Sequence, residues 1–245
     1  MSGVFPYLDE SQRFDFPPPD AGSADGIVAV GGNLSPGMLL SAYRQGIFPW
    51  YSSEDPILWW CPDPRFVLQP QRLHVPRRLE RLLRNDPFSY ALDSRFAEVV
   101  QACRHAARPG QDGTWISGEI VDGYTRLHQL GYAHSLEVLL HGELVGGLYG
   151  VAIGSVFFGE SMFAHYRDAS KAGLVRLVHF LERNGYRLID CQVYTRHLER
   201  FGATGMPRTL FLQLLDRLVQ QRTQRGSWNH LSVLESAVSD EFAQN

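Results

Sequence analysis

A carboxylate and an amide lie two positions apart near the end of an apolar segment at residues 187–193. If that segment is a strand, its side chains alternate between two faces, so Asp190 and Gln192 point the same way. Together such groups can accept a proton and orient a nucleophile. The alternative is that Asp190 caps the following turn beside a hydrogen-bonded Gln192, and the spacing alone favours this structural role.

Charged side chains elsewhere in the chain are candidates for binding ionic ligands. Glu160 ends a segment rich in Val and Phe, where it either faces a pocket or is solvated, and the residues alone favour solvation. Arg77, Arg81 and Arg84 have the spacing i, i+4 and i+7, so they share one face of a predicted helix. Such a stripe fits a phosphate backbone, although a solvated surface is the simpler reading.

Two tryptophans lie in segments dense in turn residues. Trp50 follows a proline, and Trp115 follows an Asp-Gly-Thr sequence. Loop tryptophans of this kind are poor candidates for a core and can stack on a nucleobase, so we weigh the two roles equally. Trp59 and Trp60 are better explained as structural residues.

Several classes of protein are excluded or disfavoured. No metal-binding pair such as His-Glu-x-x-His and no Gly-x-Ser-x-Gly nucleophile motif occurs. The three cysteines are far apart, which predicts reduced thiols in a cytosolic protein. We expect no signal peptide at the N-terminus and no membrane span, because no apolar run approaches about 18 residues. A net charge of −3 argues against a protein that coats nucleic acid with its whole surface. It is compatible with a local basic patch.

The segments that must position these side chains predict an α+β chain. A Pro- and Gly-rich segment at residues 1–63 predicts a small N-terminal α/β domain, and Pro62-Asp63-Pro64 marks the boundary to a larger domain at 64–245. In the larger domain a helix from Ser170 is expected between strands. Apolar and alternating runs predict these strands at 134–140, 144–153, 155–163 and 187–193.

Eight short strings in one order resemble the leucyl/phenylalanyl-tRNA–protein transferase family. Each string is modest alone, but the ordered set is specific and extends over about residues 26–206. The strings are Gly31-Gly32-Asn33-Leu34-Ser35-Pro36, Gly46-Ile47-Phe48-Pro49-Trp50, Asp55-Pro56-Ile57-Leu58-Trp59-Trp60, Pro62-Asp63-Pro64-Arg65, Gly113-Thr114-Trp115-Ile116, Gly159-Glu160-Ser161-Met162-Phe163, Ala169-Ser170-Lys171 and Leu188-Ile189-Asp190-Cys191-Gln192.

The resemblance implies a small N-terminal domain on a GNAT-like C-terminal domain with a mixed, mostly antiparallel sheet. It implies transfer of Leu or Phe, and Met less well, from aminoacyl-tRNA to the N-terminal amino group of proteins that begin with Arg or Lys. The product carries a degradation signal of the N-end rule pathway. No cofactor, metal or membrane is implied, and the segment at 165–169 lacks a Gly-rich loop for coenzyme A pyrophosphate.

The resemblance also implies roles for individual residues. Asp190 and Gln192 match the catalytic pair, with Gln192 orienting the amine and Asp190 polarising that contact or acting as a base. Glu160 is expected to bind the acceptor. The remaining assignments are Trp50 and Trp115 for the terminal adenosine of tRNA, Arg77, Arg81 and Arg84 for tRNA phosphates, and Leu148, Met162, Leu177 and Leu181 for the aminoacyl pocket.

The proposed pocket departs from the family pattern at three positions. Leu177 and Leu181 stand where aromatic residues are expected, and Leu148 stands where methionine is expected. The pocket stays apolar, but its preference between Leu and Phe is left open.

Two other functions remain compatible with the residues. One is a different GNAT-type acyltransferase that uses an acyl thioester or builds peptidoglycan bridges, which tight binding of coenzyme A would distinguish. The other is a non-catalytic RNA-binding adaptor that uses the arginine stripe and the loop tryptophans, for which Asp190 and Gln192 would be dispensable.

Overall fold

The computed structural model describes residues 5–52, 54–106 and 114–231. Its first helix, α1 (Pro36–Arg44), begins with proline at the first helical position, where the missing N–H costs nothing. Ser35 occupies the N-cap position, but its hydroxyl accepts a hydrogen bond from the N–H of Leu8 at 3.1 Å. Ser35 therefore ties the N-terminal segment to the helix. All residues of α1 except Arg44 are buried.

A small antiparallel sheet is formed by one strand before α1 and two strands after it. Its strand order is β1-β3-β2, and Trp60 of β3 lies opposite both Ile27 and Phe48. Gly46, at φ +75°, reverses the chain between α1 and the next strand, a conformation that favours glycine. The strands are β1 (Ile27–Val30), β2 (Phe48–Pro49) and β3 (Leu58–Trp60).

A second sheet of seven strands forms the rest of the framework, in the order β10-β4-β9-β8-β7-β6-β5. Among its strand pairs in the described residues, β8 and β9 are parallel and the others are antiparallel. The predicted α+β class with a mixed, mostly antiparallel sheet is confirmed. The strands are β4 (Arg65–Leu68), β5 (Ser89–Leu92), β6 (Ala133–Leu140), β7 (Glu143–Ile153), β8 (Val156–Ala164), β9 (Leu188–Asp190) and β10 (Thr204–Met206).

Helices cover both faces of the seven-stranded sheet. Along β7, Tyr149 and Val151 face one buried cluster and Leu148 and Ala152 face the other, as the alternation of a strand requires. The first cluster includes buried residues of α1, α3, α4 and α7, and the second cluster includes buried residues of α2 and α5. The additional helices are α2 (Arg77–Arg84), α3 (Phe96–His105), α4 (Gly118–Gln129), α5 (Ala169–Arg183), α6 (Arg196–Glu199) and α7 (Arg208–Val219).

The two sheets share one core. Tyr43 and Trp59 from the N-terminal part belong to the same buried cluster as Tyr124 and Phe158. The predicted domain boundary between residues 63 and 64 therefore stays a prediction. The residues before and after it pack into the same buried cluster. In the described part of the chain, no helix is long and apolar enough to cross a membrane.

The last described segment is anchored by a buried carboxylate. Asp93 accepts hydrogen bonds from the backbone N–H of Trp228 at 2.7 Å and from Nδ1 of His134 at 2.9 Å. The indole of Trp228 stacks on the imidazole of His134, with ring centroids 3.6 Å apart, and is almost fully buried. The indole of Trp228 also packs against the rings of Phe180 and Tyr186, so this segment is part of the second cluster.

We expect Trp228→Ala to lower the free energy of unfolding by about 3–5 kcal/mol, because it removes a large buried side chain and leaves a cavity. Urea denaturation followed by circular dichroism measures the effect. Leu210→Ala, at a position that is 54% exposed, is the control and should change stability by less than about 0.5 kcal/mol. Equal effects of the two substitutions would contradict the anchoring role.

Candidate active site

The large sheet opens where β9 ends. β9 pairs with β8 only through residues 188–190, opposite 156–158, whereas β8 continues to Ala164. After Asp190 the chain turns away, which leaves the second half of β8 unpaired on that side within the described residues. Adjacent parallel strands that separate at their carboxyl ends create a crevice suited to a ligand.

A cavity of about 330 Å³ occupies this crevice. Its lining is mostly apolar, which suits an apolar ligand with a few polar anchoring groups. The apolar part of the lining includes Leu68, Leu148, Phe157, Met162, Leu174, Leu177, Ile189 and Leu198, and the polar part includes Glu160 and Gln192.

The Glu160 carboxylate is the meeting point of four chain segments. Oε1 accepts hydrogen bonds from the hydroxyl of Tyr43 in α1 at 2.8 Å and from Nε2 of Gln192 at 2.9 Å. Oε2 accepts a hydrogen bond from the hydroxyl of Tyr124 in α4 at 2.8 Å. The two tyrosine hydroxyls are also in hydrogen-bond contact with each other. Each hydroxyl has only one hydrogen, so this contact can replace one of the two bonds to Glu160 but cannot add to them. A carboxylate from β8 is thus held by residues of α1, α4 and the turn after β9.

Burial of this carboxylate changes its acidity. Desolvation raises the pKa of Glu160 to about 7, although the hydrogen bonds from Tyr43 and Tyr124 oppose the rise and nearby Asp190 adds to it. Burial and the negative charge of Glu160 raise the pKa of both tyrosines well above the ordinary value, so they remain protonated donors. The site therefore contains one carboxylate that can gain or lose a proton near neutral pH.

Gln192 adopts a backbone conformation that the strand pattern does not predict. Its φ is +64°, and β9 ends two residues earlier, at Asp190. The Gln192 N–H donates to Oδ1 of Asp190 at 2.9 Å, which stabilises this left-handed turn. The expectation that Asp190 and Gln192 project from one face of one strand is wrong, because the strand has ended before Gln192.

Asp190 faces the interior and forms a buried ion pair. Its two oxygens accept hydrogen bonds from Nε of Arg65 at 2.8 Å and from Nη2 of Arg65 at 2.6 Å. Both side chains are fully buried, and the rings of Phe48 and Phe211 each lie 4.7 Å from the guanidinium carbon. Burial opposes the charge on Arg65, but the neighbouring Asp190 outweighs that effect and raises the pKa of Arg65. The predicted projection of Asp190 into the cleft is therefore wrong.

The two loop tryptophans both line the cavity. Both are partly exposed, and Trp50 packs beside Trp60 with ring centroids 5.6 Å apart. Trp59, in contrast, is buried and donates its Nε1–H to the carbonyl of Gly31 at 2.8 Å, which is a structural role. Gly113, the first residue of the Trp115 string, lies outside the described residues.

Two comparisons with known proteins cover most of the chain. The family model for leucyl/phenylalanyl-tRNA protein transferase matches residues 67–216, and the model for the N-terminal domain of that family matches 32–63. The leucyl/phenylalanyl-tRNA–protein transferase of Anaeromyxobacter sp. (strain Fw109-5) is 55% identical over 218 residues, covering 89% of this chain and 93% of the relative. That of Myxococcus xanthus (strain DK1622) is 51% identical, covering 87% and 91%.

The chain belongs to the leucyl/phenylalanyl-tRNA–protein transferase family, and thus to the aminoacyltransferases.

Solved structures give a weaker comparison. L-PGS from Bacillus licheniformis overlaps with a TM-score of 0.40 and 11% identity, over 64% of this chain and 65% of that one. A GCN5-related N-acetyltransferase from Kribbella flavida overlaps with a TM-score of 0.36 and 13% identity, over 71% and 62%. Both scores are below 0.5, so the overlaps indicate only a partial likeness of fold.

The cavity brings together most of the side chains that the family resemblance assigns to the aminoacyl pocket. Leu148, Met162 and Leu177 contribute to its lining. Leu181, one turn further along α5, is fully buried in the second core cluster and does not contribute. Leu174, one turn before Leu177, lies in the lining instead. The sequence did not reveal which residues of the apolar face of α5 reach the cavity.

Three polar residues around the site are not among the candidate residues that the sequence predicts. Tyr43 and Tyr124 lie on helical faces that are otherwise apolar, and Arg65 occurs only as the last residue of the string Pro62-Asp63-Pro64-Arg65. A hydroxyl on an otherwise apolar helical face was the available signal, because a buried hydroxyl needs a partner. No comparable signal links Arg65 to Asp190, which lies 125 positions away.

The arginine stripe lies outside the cavity. Arg77, Arg81 and Arg84 are exposed on α2, and none forms an ion pair with a described residue. The opposite side of the same helix is anchored by buried Leu79 and Leu83. Next to the start of α2 is a second cavity of about 570 Å³ that shares His197 with the first, and its lining includes Arg78, Lys171 and Arg200.

We expect Arg65→Met and Asp190→Asn each to lower the free energy of unfolding by about 3–5 kcal/mol, because each leaves a buried charged or polar group without its partner. The double variant should lose much less than the sum, since neither charge is then left alone. Urea denaturation of all four proteins gives the coupling energy.

Arg13→Met is the matched control, because Arg13 pairs with Asp15 at an exposed site where an ion pair contributes little. Additive losses in the Arg65 and Asp190 variants would show that the two side chains do not act as a pair.

Proposed function

We propose that this protein transfers leucine or phenylalanine, and methionine less well, from aminoacyl-tRNA to the N-terminal amino group of proteins that begin with Arg or Lys. The observation that carries the proposal is an apolar cavity with Glu160 and Gln192 in its wall and Trp50 and Trp115 beside them. The product would carry a degradation signal of the N-end rule pathway, and the reaction would take place in the cytosol without a cofactor.

The apolar part of the cavity is suited to the transferred side chain. Leu148, Met162, Leu174 and Leu177 offer no hydrogen-bonding side-chain group apart from the weak acceptor sulfur of Met162. A polar aminoacyl side chain would lose its water there without replacement, at a cost of about 1–3 kcal/mol by protein mutational measures. Leu, Phe and Met avoid this cost. Branching at Cβ must be rejected by the shape of the wall, because Leu and Ile have the same chemistry.

The tryptophans are suited to the nucleoside end of the same substrate. A base stacked on an aromatic side chain gains about 1–3 kcal/mol, and any base can stack. Trp50 and Trp115 are partly exposed and border the cavity, so a terminal adenosine on them would leave its aminoacyl group inside. The exposed stripe Arg77, Arg81 and Arg84 would bind phosphates farther along the tRNA.

The acceptor must enter beside Glu160. A neutral α-amine has a lone pair that can attack the ester carbonyl, and its ordinary pKa is about 7.7–8.0. The amide of Gln192 is held by Glu160 at 2.9 Å, so its carbonyl oxygen is available to accept from the amine. A cationic first residue of the acceptor gains from the negative charge of Glu160 in this apolar surrounding.

The direct test is transfer of radiolabelled amino acid from a panel of aminoacyl-tRNAs to peptides that begin with Arg, Lys or Ala. We expect incorporation with Leu-tRNA and Phe-tRNA, less with Met-tRNA, and little with Ile-tRNA or with the Ala peptide. Equal binding of charged and uncharged tRNA with no transfer would favour the adaptor function. Incorporation that depends on added coenzyme A would favour another acyltransferase.

We expect Trp50→Ala to raise the KM for charged tRNA by about 5–150-fold, which corresponds to the loss of about 1–3 kcal/mol of stacking. The KM for the acceptor peptide should change little. Steady-state kinetics with each substrate varied in turn gives both values. Tyr7→Ala, at an aromatic residue that is 56% exposed and remote from the cavity lining, is the control. An unchanged KM for charged tRNA would remove Trp50 from the stacking role.

A further inference from the structure

The structure distinguishes the two carboxylates of the site by what they can still bind. Asp190 accepts two hydrogen bonds from Arg65 and one from the N–H of Gln192, and it is fully buried. It does not contribute to the lining of the cavity. A carboxylate with this set of cationic and backbone partners is well placed to fix the Gln192 turn, and it is poorly placed to receive a proton from a substrate.

Glu160 has the opposite properties. It lines the cavity and is only partly buried. Its Oε1 already accepts from Tyr43 and from Gln192, whereas its Oε2 accepts from Tyr124 alone among the described residues. A carboxylate oxygen has two lone pairs, so one lone pair of Oε2 has no donor among the described residues.

The surroundings of Glu160 suit proton transfer. The groups that act on it are the phenols of Tyr43 from α1 and Tyr124 from α4, the carboxylate of Asp190 from β9 and the guanidinium of Arg65 from β4. Burial raises the pKa of Glu160 to about 7, which matches the operating range of a general base in a neutral cell.

We propose that Glu160, and not Asp190, accepts the proton that the attacking amine loses, which rests on the aminoacyl transfer proposed above. The neutral α-amine forms a C–N bond with the ester carbonyl carbon, and one N–H proton moves to Oε2 of Glu160. The bond between the carbonyl carbon and the ribose oxygen then breaks, and the same proton passes to that oxygen. The carboxylate is regenerated, so the step needs no other reactant.

Tyr43 and Tyr124 become positioning residues in this scheme. Their hydroxyls donate to opposite oxygens of Glu160, which fixes the plane of the carboxylate. Each donated hydrogen bond also favours the ionised form of Glu160. Removal of one hydroxyl should therefore raise the pKa of Glu160 and move the acid limb of the rate profile to higher pH.

The test is the pH dependence of kcat at saturating charged tRNA and saturating acceptor peptide. For Glu160→Gln we expect kcat to fall by about 10²–10⁴-fold, the usual contribution of a general base. The slope of log kcat against pH below about pH 7 should be smaller by one than in the wild type. Glu143→Gln, at an exposed glutamate of β7 outside the cavity lining, should keep both the rate and the slope.

Further variants separate the proposal from its alternatives. Tyr43→Phe and Tyr124→Phe should shift the acid limb of the kcat profile to higher pH. If the two hydroxyls had only a structural role, the variants would lower kcat without moving this limb. Asp190→Asn should reduce kcat through the Gln192 turn and keep the wild-type slope. Each variant is used only after its thermal melt shows a folded protein.

Three outcomes would overturn the proposal while leaving aminoacyl transfer intact. Glu160→Gln could raise only the KM for the acceptor peptide, which would limit Glu160 to binding. The Glu160→Gln variant could keep the wild-type slope of log kcat against pH, which would show that Glu160 is not the group that accepts the proton. Asp190→Asn could lose the acid limb that Glu160→Gln retains, which would make Asp190 the base. Absence of transfer by the wild type with every charged tRNA would instead refute the proposed function itself.

Discussion

A buried ion pair between Arg65 and Asp190 sets the geometry on which the rest of the site depends. Two charges without access to water are tolerated only when their geometry is good, and here the guanidinium is bidentate on the carboxylate between two aromatic rings. The rings belong to Phe48 of the small sheet and Phe211 of α7, so the pair joins distant parts of the chain. Because Asp190 also holds the Gln192 N–H, the same pair fixes the turn that opens the crevice.

The hydrogen bonds to Glu160 hold three further segments in fixed positions around the candidate active site. Tyr43 comes from the N-terminal part, Tyr124 from α4 and Gln192 from the turn after β9, and all three donate to one carboxylate. None of these segments could shift alone without leaving a buried polar group unsatisfied, which costs more than the hydrogen bond itself contributes. The packing of α1 and α4 against the large sheet is thus part of the candidate active site, as well as part of its support.

The sequence predicted β6, β7 and β8 well, but it placed the end of β9 three residues too late and predicted the partners of the polar groups poorly. The runs at 134–140, 144–153 and 155–163 agree with β6, β7 and β8 within one residue at each end, because apolar periodicity follows burial directly. The left-handed turn at Gln192 and the Arg65 partner of Asp190 arise from tertiary contacts that no local pattern encodes. The same reason explains Leu181, since helical spacing identifies a buried face of α5 without saying which turn meets a cavity.

In the proposed reaction, substrate selection and proton transfer would share one physical cause. In that reaction, the apolar wall formed by β7, β8 and α5 would exclude polar aminoacyl groups because it offers them no hydrogen-bonding partners. The same burial withdraws water from Glu160 and raises its pKa toward neutrality. A more polar wall would accept more side chains, and it would also stabilise the ionised carboxylate and weaken it as a base. Specificity for apolar amino acids and basicity of the site should therefore change together when this wall is altered.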